Sequence, residues 1–417
     1  MSLTRREMLG ALAAAPAAHG AGAYFGLHEF IERHPKAVFI RRTRVADKMD
    51  REAKLREGLE LARQIFVRKS EPGVPLSHRI LLKPNITSVR SRHRPDVENW
   101  GTGTDPDFYE GLLIGLKELG LKKFFSVENN LYHAWHYRGF MDIHERHGVE
   151  MNEPEQNYLS PRAEREIVWS KVPDAVVYDR TPHHWPVNAP DTWLLNIAKW
   201  KGHSMCLTQA VKNEQGLVCL PFIRFCSGMR MVANVPDVMK PHMCREAADR
   251  VQRYFENRLR SGFRRYQARP EDNKVSPLAQ EIWAHKTLDN QSVLKTGLAI
   301  IEGIYGRDGD GFGLGNDYLT NLVMFSKDKF RLDVIGLWLA GHEPGNVHLY
   351  RIAKERGLSD TFNPWEIDVY EWTDAGPAPR KLTDFPRYEL KSIYLRMPGE
   401  PELHLANEPV DYHRLKF

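Results

Sequence analysis

The sequence predicts an α/β protein in which a mostly parallel sheet is flanked by helices and carries a helical insertion and a C-terminal extension. Short apolar runs with the bulk of buried strands recur along the chain, and helical patterns separate several of them. The stretch from Arg79 to Val127 reads strand, helix, strand, an order that implies parallel strands joined by a right-handed crossover. With 417 residues, the chain is long enough for one large domain or two smaller ones.

The predicted elements alternate through most of the chain. Strands are predicted at residues 37–40, 79–82, 123–127, 175–178, 193–197, 298–301 and 322–325. Helices are predicted at residues 50–68, 107–119, 332–340 and 347–356. The helix over 107–119 has Thr104 or Asp105 as its N-cap, Pro106 at its first position and Gly120 at its end.

Two segments differ from this pattern. Residues 229–291 are polar and largely helical, so we expect an insertion there that forms a subdomain or a lid. Residues 361–417 hold short strands and prolines, which predicts an extension that wraps an α/β domain spanning 37–360.

The N-terminus resembles an export signal. Arg5 and Arg6 precede an alanine-rich run, and small residues end it, which predicts a twin-arginine signal over residues 1–23. The alternative is an ordinary N-terminal helix. The export interpretation implies a periplasmic location and the twin-arginine translocation machinery as a partner. No other segment has the roughly 18 uninterrupted apolar residues of a membrane span, so we expect no stable span.

Composition argues against several classes of protein. The net charge is +5, from 59 basic and 54 acidic residues, and no clustered basic run is present, so we do not expect nucleic-acid binding. The four cysteines do not form Cys-x-x-Cys pairs, so neither a zinc ribbon nor an iron–sulfur cluster is expected. In an oxidising compartment these cysteines could form disulfides or remain buried thiols. The chain also has no P-loop, no Gly-x-Gly-x-x-Gly segment and no Gly-x-Ser-x-Gly elbow.

Polar side chains follow the predicted strands. Because open α/β sheets bind ligands beyond the carboxyl ends of their strands, we expect these side chains to share one crevice. Lys199, Lys201 and His203 occupy alternate positions after the strand at 193–197. The other candidates at strand ends or just beyond them are Lys83, Asn85, Glu128, Lys212, Asn213, Glu302, Asp308 and Asp310.

Three roles are predicted for these residues. His203, Glu302 and Asp310 are the candidate catalytic acid–base groups, because imidazole titrates near neutral pH. His203, Glu128 and Asp308 could instead hold a divalent metal, which is the one cofactor we consider. The groups expected to bind an anionic substrate are Lys83, Asn85, Lys199, Lys201, Lys212 and Asn213. The alternative is a structural network of ion pairs that closes this end of the sheet.

At the same residues, the chain resembles the domain-of-unknown-function family 362. The resemblance runs through Leu81 to Asn85, Thr104 to Pro106, Val127-Glu128, Asn196 to His203, Lys212-Asn213, Gly216, Glu302-Gly303, Asp328, Asp333 and Gly341. It implies an α/β protein over about residues 37–360. Many members look like redox proteins because they carry a ferredoxin-like segment with cysteine ligands. This chain has no such cysteines, so the resemblance does not extend to an iron–sulfur cluster.

Together these features predict an exported enzyme with a cation-rich pocket, able to hold a metal, that acts on a small substrate bearing a carboxylate or phosphate. One alternative is a periplasmic protein that binds a ligand, or assists maturation, without chemistry of its own. A further alternative is a redox protein, as suggested by the iron–sulfur relatives.

Overall fold

The computed structural model describes most of the chain. Its described residues are 22–70, 73–87, 100–128, 132–151, 167–203, 206–219, 240–260, 277–309, 311, 315–392 and 408–414. Asp310, Cys226 and nearly all of the predicted export signal lie outside these ranges, so the interpretations that rest on them stay predictions. Among the described residues, no helix is both long and apolar enough to cross a membrane.

A large mixed sheet forms the centre of the molecule and confirms the predicted fold class. Within the described residues its ten strands are β2 Val38–Arg42, β5 Arg79–Pro84, β6 Lys123–Ser126, β7 Glu150–Met151, β10 Thr192–His203, β11 Cys206–Thr208, β12 Thr296–Arg307, β13 Asp317–Ser326, β14 Val369–Thr373 and β15 Gly376–Arg380. Nine of them follow the order β15-β14-β2-β13-β12-β10-β5-β6-β7, while β11 pairs with β10.

Two small sheets accompany the large one. One consists of β1 Tyr24–Leu27, β3 Phe66–Lys69 and β4 Val74–Pro75, and the other of β8 Ile167–Lys171 and β9 Arg180–His184. The strand predicted at 175–178 is not formed; Tyr178 makes only an isolated bridge. The reason is that the backbone N–H groups of residues 176–178 donate to the Asp289 carboxylate instead of to a neighbouring strand.

The helices pack on both faces of the sheet. They are α1 Glu29–Arg33, α2 Arg51–Ile65, α3 Pro106–Glu118, α4 Tyr132–Tyr137, α5 Phe140–His147, α6 Ala210–Asn213, α7 Ala247–Arg260, α8 Pro277–Gln291, α9 Lys329–Leu339 and α10 His348–Glu355. Asp105 caps α3, as one of the two predicted caps, by accepting from the N–H groups of Asp107 and Phe108. α2 ends before residue 68 because β3 begins at Phe66 and pairs with β1.

The chain reverses its direction of travel across the sheet between β5 and β10. These two strands are parallel neighbours, and β12, β6 and β7 are parallel to them on either side. The connection after β5 passes through α3 to β6, whereas the connection after β10 passes through α6, α7 and α8 to β12 on the opposite side. In open α/β sheets, such a switch point leaves a crevice at the carboxyl ends of the strands.

Two hydrophobic cores hold the helices against the sheet. Side chains of α2 and α3 pack on one face, with Leu195 and Ile197 of β10 among them. Side chains of α6, α8, α9 and α10 pack on the other face, with Ala198 and Trp200 of β10. Because successive strand residues point to opposite faces, β10 contributes to both cores.

The predicted insertion includes a core helix. Ile282, Trp283 and Leu288 of α8 are buried, and so are several of its polar residues, including Asp289. Only one side of a lid helix would be expected to be buried, whereas residues 281–291 of α8 are all buried. The region that looked like a lid in the sequence therefore contributes an interior helix over 277–291.

The predicted C-terminal extension joins the main sheet. β14 lies parallel to β2, and β15 pairs with β14 to form the edge of the sheet. Pro377 and Pro379 on β15 have no N–H to donate, which disfavours the addition of another strand.

Three of the four cysteines are described, and they are free thiols. Cys206 and Cys219 are buried, and Cys244 is partly buried. Burial raises the pKa of each of these thiols, which keeps them protonated at neutral pH.

Candidate functional site

We use the word crevice for the region beyond the carboxyl end of β5, along which β10 continues. Ile197 pairs with Pro84, the last residue of β5, whereas β10 runs on to His203. The sequence predicted a strand that ends at Ile197, but pairing with β12 and the antiparallel return of β11 extend it. Lys199, Lys201 and His203 are therefore strand residues, and their alternate positions place them on one face of the sheet.

Lys83 at the end of β5 forms a buried ion pair. Its Nζ donates to Glu128 Oε2 at 2.7 Å, to Asn213 Oδ1 at 3.1 Å and to the Pro84 carbonyl at 2.7 Å. Burial lowers the pKa of Lys83, and the Glu128 carboxylate opposes that shift. The structure thus brings three of the predicted residues, Lys83, Glu128 and Asn213, into direct contact.

A chain of buried amides joins this ion pair to β10. Asn85 Nδ2 donates to Asn213 Oδ1 at 3.1 Å, and Asn213 Nδ2 donates to Asn196 Oδ1 at 2.7 Å. Gly216 lies against the same group, because a Cβ at this position would stand 2.0 Å from Glu128 Oε1. Asn85 Oδ1 is buried and has no hydrogen-bond partner within the described part of the chain.

Lys199 and Glu302 form a second buried ion pair. Lys199 Nζ donates to both carboxylate oxygens, at 2.9 and 2.7 Å. Glu302 also accepts from the N–H groups of Asp105 and Ile304, at 3.0 and 2.8 Å. These contacts fix the start of α3 to β12, so they hold the wall of the crevice in place. The predicted catalytic role of Glu302 stays a prediction.

Lys201 lies in a different environment from the other two lysines. Its buried Nζ donates to the Thr102 carbonyl at 2.7 Å, to the Gly311 carbonyl at 3.1 Å and to Thr87 Oγ1 at 3.4 Å. Arg138 reaches the same two threonines, since its Nε donates to the Thr87 carbonyl at 3.3 Å and its terminal nitrogen donates to Thr102 Oγ1. Two cationic side chains therefore converge on one pair of threonines.

Positive charge is concentrated around Lys201. Burial lowers the pKa of Lys201 well below its ordinary value, and Lys212, Arg138 and Arg307 lower it further. Burial also lowers the pKa of His203 well below its ordinary value, with Lys212 and Lys201 as additional causes. His203 is consequently neutral at pH 7. We call these five residues, Arg138, Lys201, His203, Lys212 and Arg307, the basic cluster.

Two members of the basic cluster were missed in the sequence. Arg138 follows α4, in a segment where histidines and aromatics were the more conspicuous residues. Arg307 is the last residue of β12 and pairs in register with Lys201. The candidates were chosen because they follow predicted strands. Arg307 would have been chosen in the same way if the apolar run of β12 had shown where this strand ends.

The predicted metal ligands are not gathered into one site. Asp308 accepts from the Asn316 N–H at 2.5 Å and from the Tyr318 hydroxyl at 2.7 Å, so its carboxylate closes a loop. Glu128 is paired with Lys83. Among the described residues, no three His, Cys, Asp or Glu side chains are arranged to hold a metal ion. The trio of His203, Glu128 and Asp308 therefore has no geometric support as a ligand set.

The model of one protein family, described as domain of unknown function (DUF362), matches residues 80–338. This span is more than half of the chain, and it begins in β5 and ends in α9. The chain belongs to the DUF362 family. Every residue of the crevice and of the basic cluster lies within the matched span of this DUF362 protein. No curated protein and no solved structure is detectably similar to the chain.

Proposed function

We propose that the basic cluster binds a small anion, a carboxylate or phosphate group of a substrate, and that His203 exchanges a proton with that substrate. The observation that carries this proposal is the convergence of buried Lys201 and Arg138 on Thr87 and Thr102, with Lys212 nearby. Arg307, the other arginine of the cluster, is paired with Asp317 at 2.6 Å. Holding several positive charges close together away from water costs free energy, and a bound anion offsets that cost.

The contacts of the crevice divide the predicted residues into two groups. Lys83 and Lys199 are held by Glu128 and Glu302, so we assign these ion pairs to the framework of the site. Lys201 contacts the Thr102 and Gly311 carbonyls and Thr87 Oγ1, and we assign it and the neighbouring Lys212 to the anion because of their positive charge. Neutral His203 has a lone pair that can accept a proton, and the adjacent cations would stabilise the negative charge that remains on the substrate.

The helix termini near the crevice favour a compact anionic group over a polyphosphate. Asp105 caps α3, and Asp333 accepts from the N–H groups of Ala210 and Val211 at the start of α6. Acidic side chains therefore occupy the positions at which nucleotide-binding folds place phosphates. An anion in this crevice would be recognised by side chains, and the buried Asn85 Oδ1 is available to accept from a donor on the substrate.

Calorimetric titration with inorganic phosphate and with acetate tests the proposal. Lys201→Met removes a buried group whose positive charge would attract the anion, so we expect the Kd of the bound anion to rise about 10- to 100-fold. Lys123→Met is the matched control, because Lys123 is an exposed lysine at the amino end of β6. A wild-type protein that binds neither anion, or a Lys201→Met variant with unchanged affinity, would contradict the proposal.

The affinity for an anion should depend on pH, with a sign that follows from the proposal. Burial lowers the pKa values of Lys201 and His203, whereas a bound anion favours the protonated forms of both groups. Binding should therefore take up protons, and the affinity should fall as the pH rises. Sulfate is the suitable probe because its charge does not change near neutral pH. Titrations in two buffers of different ionisation enthalpy measure the proton uptake directly, and proton release on binding would refute this role.

A further inference from the structure

Residues 387–392 of the C-terminal segment, which we call the strap, cross the end of α9 towards the crevice. The Tyr388 N–H donates to the Leu339 carbonyl at 2.6 Å, and the Leu390 N–H donates to the Ala340 carbonyl at 3.1 Å. His342 Nε2 lies 2.9 Å from the Leu390 carbonyl, and the Leu390 side chain is buried. These contacts fix the strap to the last turn of α9.

Beyond these anchors, the strap reaches the loop that follows β12. The Gly309 N–H donates to the Lys391 carbonyl at 2.6 Å, and Gly309 forms a parallel bridge with buried Ser392. Two residues later, the Gly311 carbonyl accepts from Lys201 Nζ at 3.1 Å. The glycine loop, by which we mean Gly309 and Gly311, is thus bonded to the strap on one side and to the basic cluster on the other.

The loop passes so close to β10 that only glycine fits. A Cβ on Gly311 would lie 1.9 Å from the Gly202 carbonyl oxygen, and Gly311 has a φ of +74°. Glycine can adopt this backbone conformation but does not favour it over others, so neighbouring contacts must fix the position of the loop. The Lys391 carbonyl and Lys201 provide such contacts.

We infer that the strap is part of the anion site, because it positions the glycine loop that contacts Lys201. Residues 391 and 392 act through the loop and are positioning residues in this scheme. The inference rests on the proposed function for its effect on ligand affinity. The coupling between the strap and the loop can be measured without a ligand.

Gly341→Ala tests the coupling at a distance from the crevice. Gly341 has a φ of +85°, and an added Cβ would lie 2.7 Å from the Tyr388 carbonyl oxygen, so the substitution pushes on the strap. Gly357→Ala is the matched control, since Gly357 has a φ of +69° and nothing within 4 Å of an added Cβ. Both variants carry the same kind of backbone strain, but only the first disturbs the strap.

We expect faster amide hydrogen exchange at Gly309 in Gly341→Ala than in Gly357→Ala. We also expect the Kd for inorganic phosphate to rise about five- to tenfold in the first variant alone, the equivalent of roughly one hydrogen bond. Leu390→Ala, which removes the buried anchor of the strap, is the second variant if Gly341→Ala does not fold.

The outcomes separate this inference from the proposed function. Equal exchange at Gly309 in Gly341→Ala and Gly357→Ala would overturn the inference, and so would equal affinities in variants that bind phosphate. If the wild-type protein bound no anion while the exchange rates still differed, the proposed function would fail and the strap–loop coupling would stand.

Discussion

Three buried lysines on neighbouring strands have different surroundings, although all three follow apolar runs. Lys83 contacts Glu128, and Lys199 contacts both oxygens of Glu302. Lys201 instead donates to the Thr102 and Gly311 carbonyls and has Lys212 and Arg138 nearby. A buried ion pair stabilises a fold only weakly against an apolar replacement, but breaking it is expensive because one charge stays buried. We therefore expect substitution of a paired lysine to lower stability and substitution of Lys201 to weaken anion binding.

At the residue scale, we predict that Lys83→Met lowers the free energy of unfolding by about 3–5 kcal/mol, because Glu128 is left as a buried, uncompensated charge. The double variant Lys83→Met/Glu128→Gln should recover much of this loss. Urea denaturation of the wild type and of both variants measures the difference. A double variant less stable than Lys83→Met would show that the pair is not the source of the cost.

At the element scale, α6 depends on a carboxylate from another helix. Asp333 of α9 accepts from the N–H groups of Ala210 and Val211, at 2.8 and 3.0 Å, and contacts the Tyr350 hydroxyl at 3.0 Å. Burial raises the pKa of Asp333 to about 8. Because α6 has only one turn, this cap from α9 positions the segment that carries Lys212 and Asn213.

We predict that Asp333→Ala costs about 2–4 kcal/mol of unfolding free energy, since two buried N–H groups lose their acceptor. Asp328→Ala, which removes the cap of α9 itself, should cost only about 1 kcal/mol.

The raised pKa of Asp333 means that the folded state retains a proton that the unfolded state has lost. The advantage of the wild type over Asp333→Ala should therefore shrink as the pH rises towards 8. Denaturation at several pH values measures it, and an advantage that grew with pH would contradict this account.

At the scale of the whole molecule, the C-terminal segment completes both the sheet and its cores. β14 covers the edge of β2, and Val369, Trp372 and Leu382 are buried in the two cores. The strap continues this segment to the crevice. The segment that was expected to wrap the α/β domain thus contributes two strands to the main sheet.

We predict that deleting residues 361–417 lowers the melting temperature by at least about 10 °C, because several large apolar side chains lose their burial and β2 becomes an exposed edge. A chain that ends at Arg414 is the control. Calorimetry and light scattering report stability and association. A deleted chain that melts like the control would show that β14 and β15 are dispensable for the fold.

Much of the fold was predictable from local sequence. Residues 79–82 and 298–301 are apolar runs within strands, and Asp105 with Pro106 fixed the start of α3. The ends of β10 and β12 were not predictable, because polar residues alternate along the end of β10, and Glu302, Gly303 and Gly306 interrupt the apolar run of β12. Pairing between the two strands satisfies their backbone groups and allows the polar side chains to be buried in contact with each other.

The sequence by itself determined that polar groups gather at one end of a largely parallel sheet, because strand and helix periods are local properties of the chain. Only the tertiary structure decided how those groups pair. Glu128 lies 45 residues from Lys83, and Glu302 lies 103 residues from Lys199. Whether a lysine meets a carboxylate or another cation depends on strand order and register, which contacts distant in sequence establish. Long-range contacts also placed Arg138 and Arg307 beside Lys201 and joined the strap to the glycine loop.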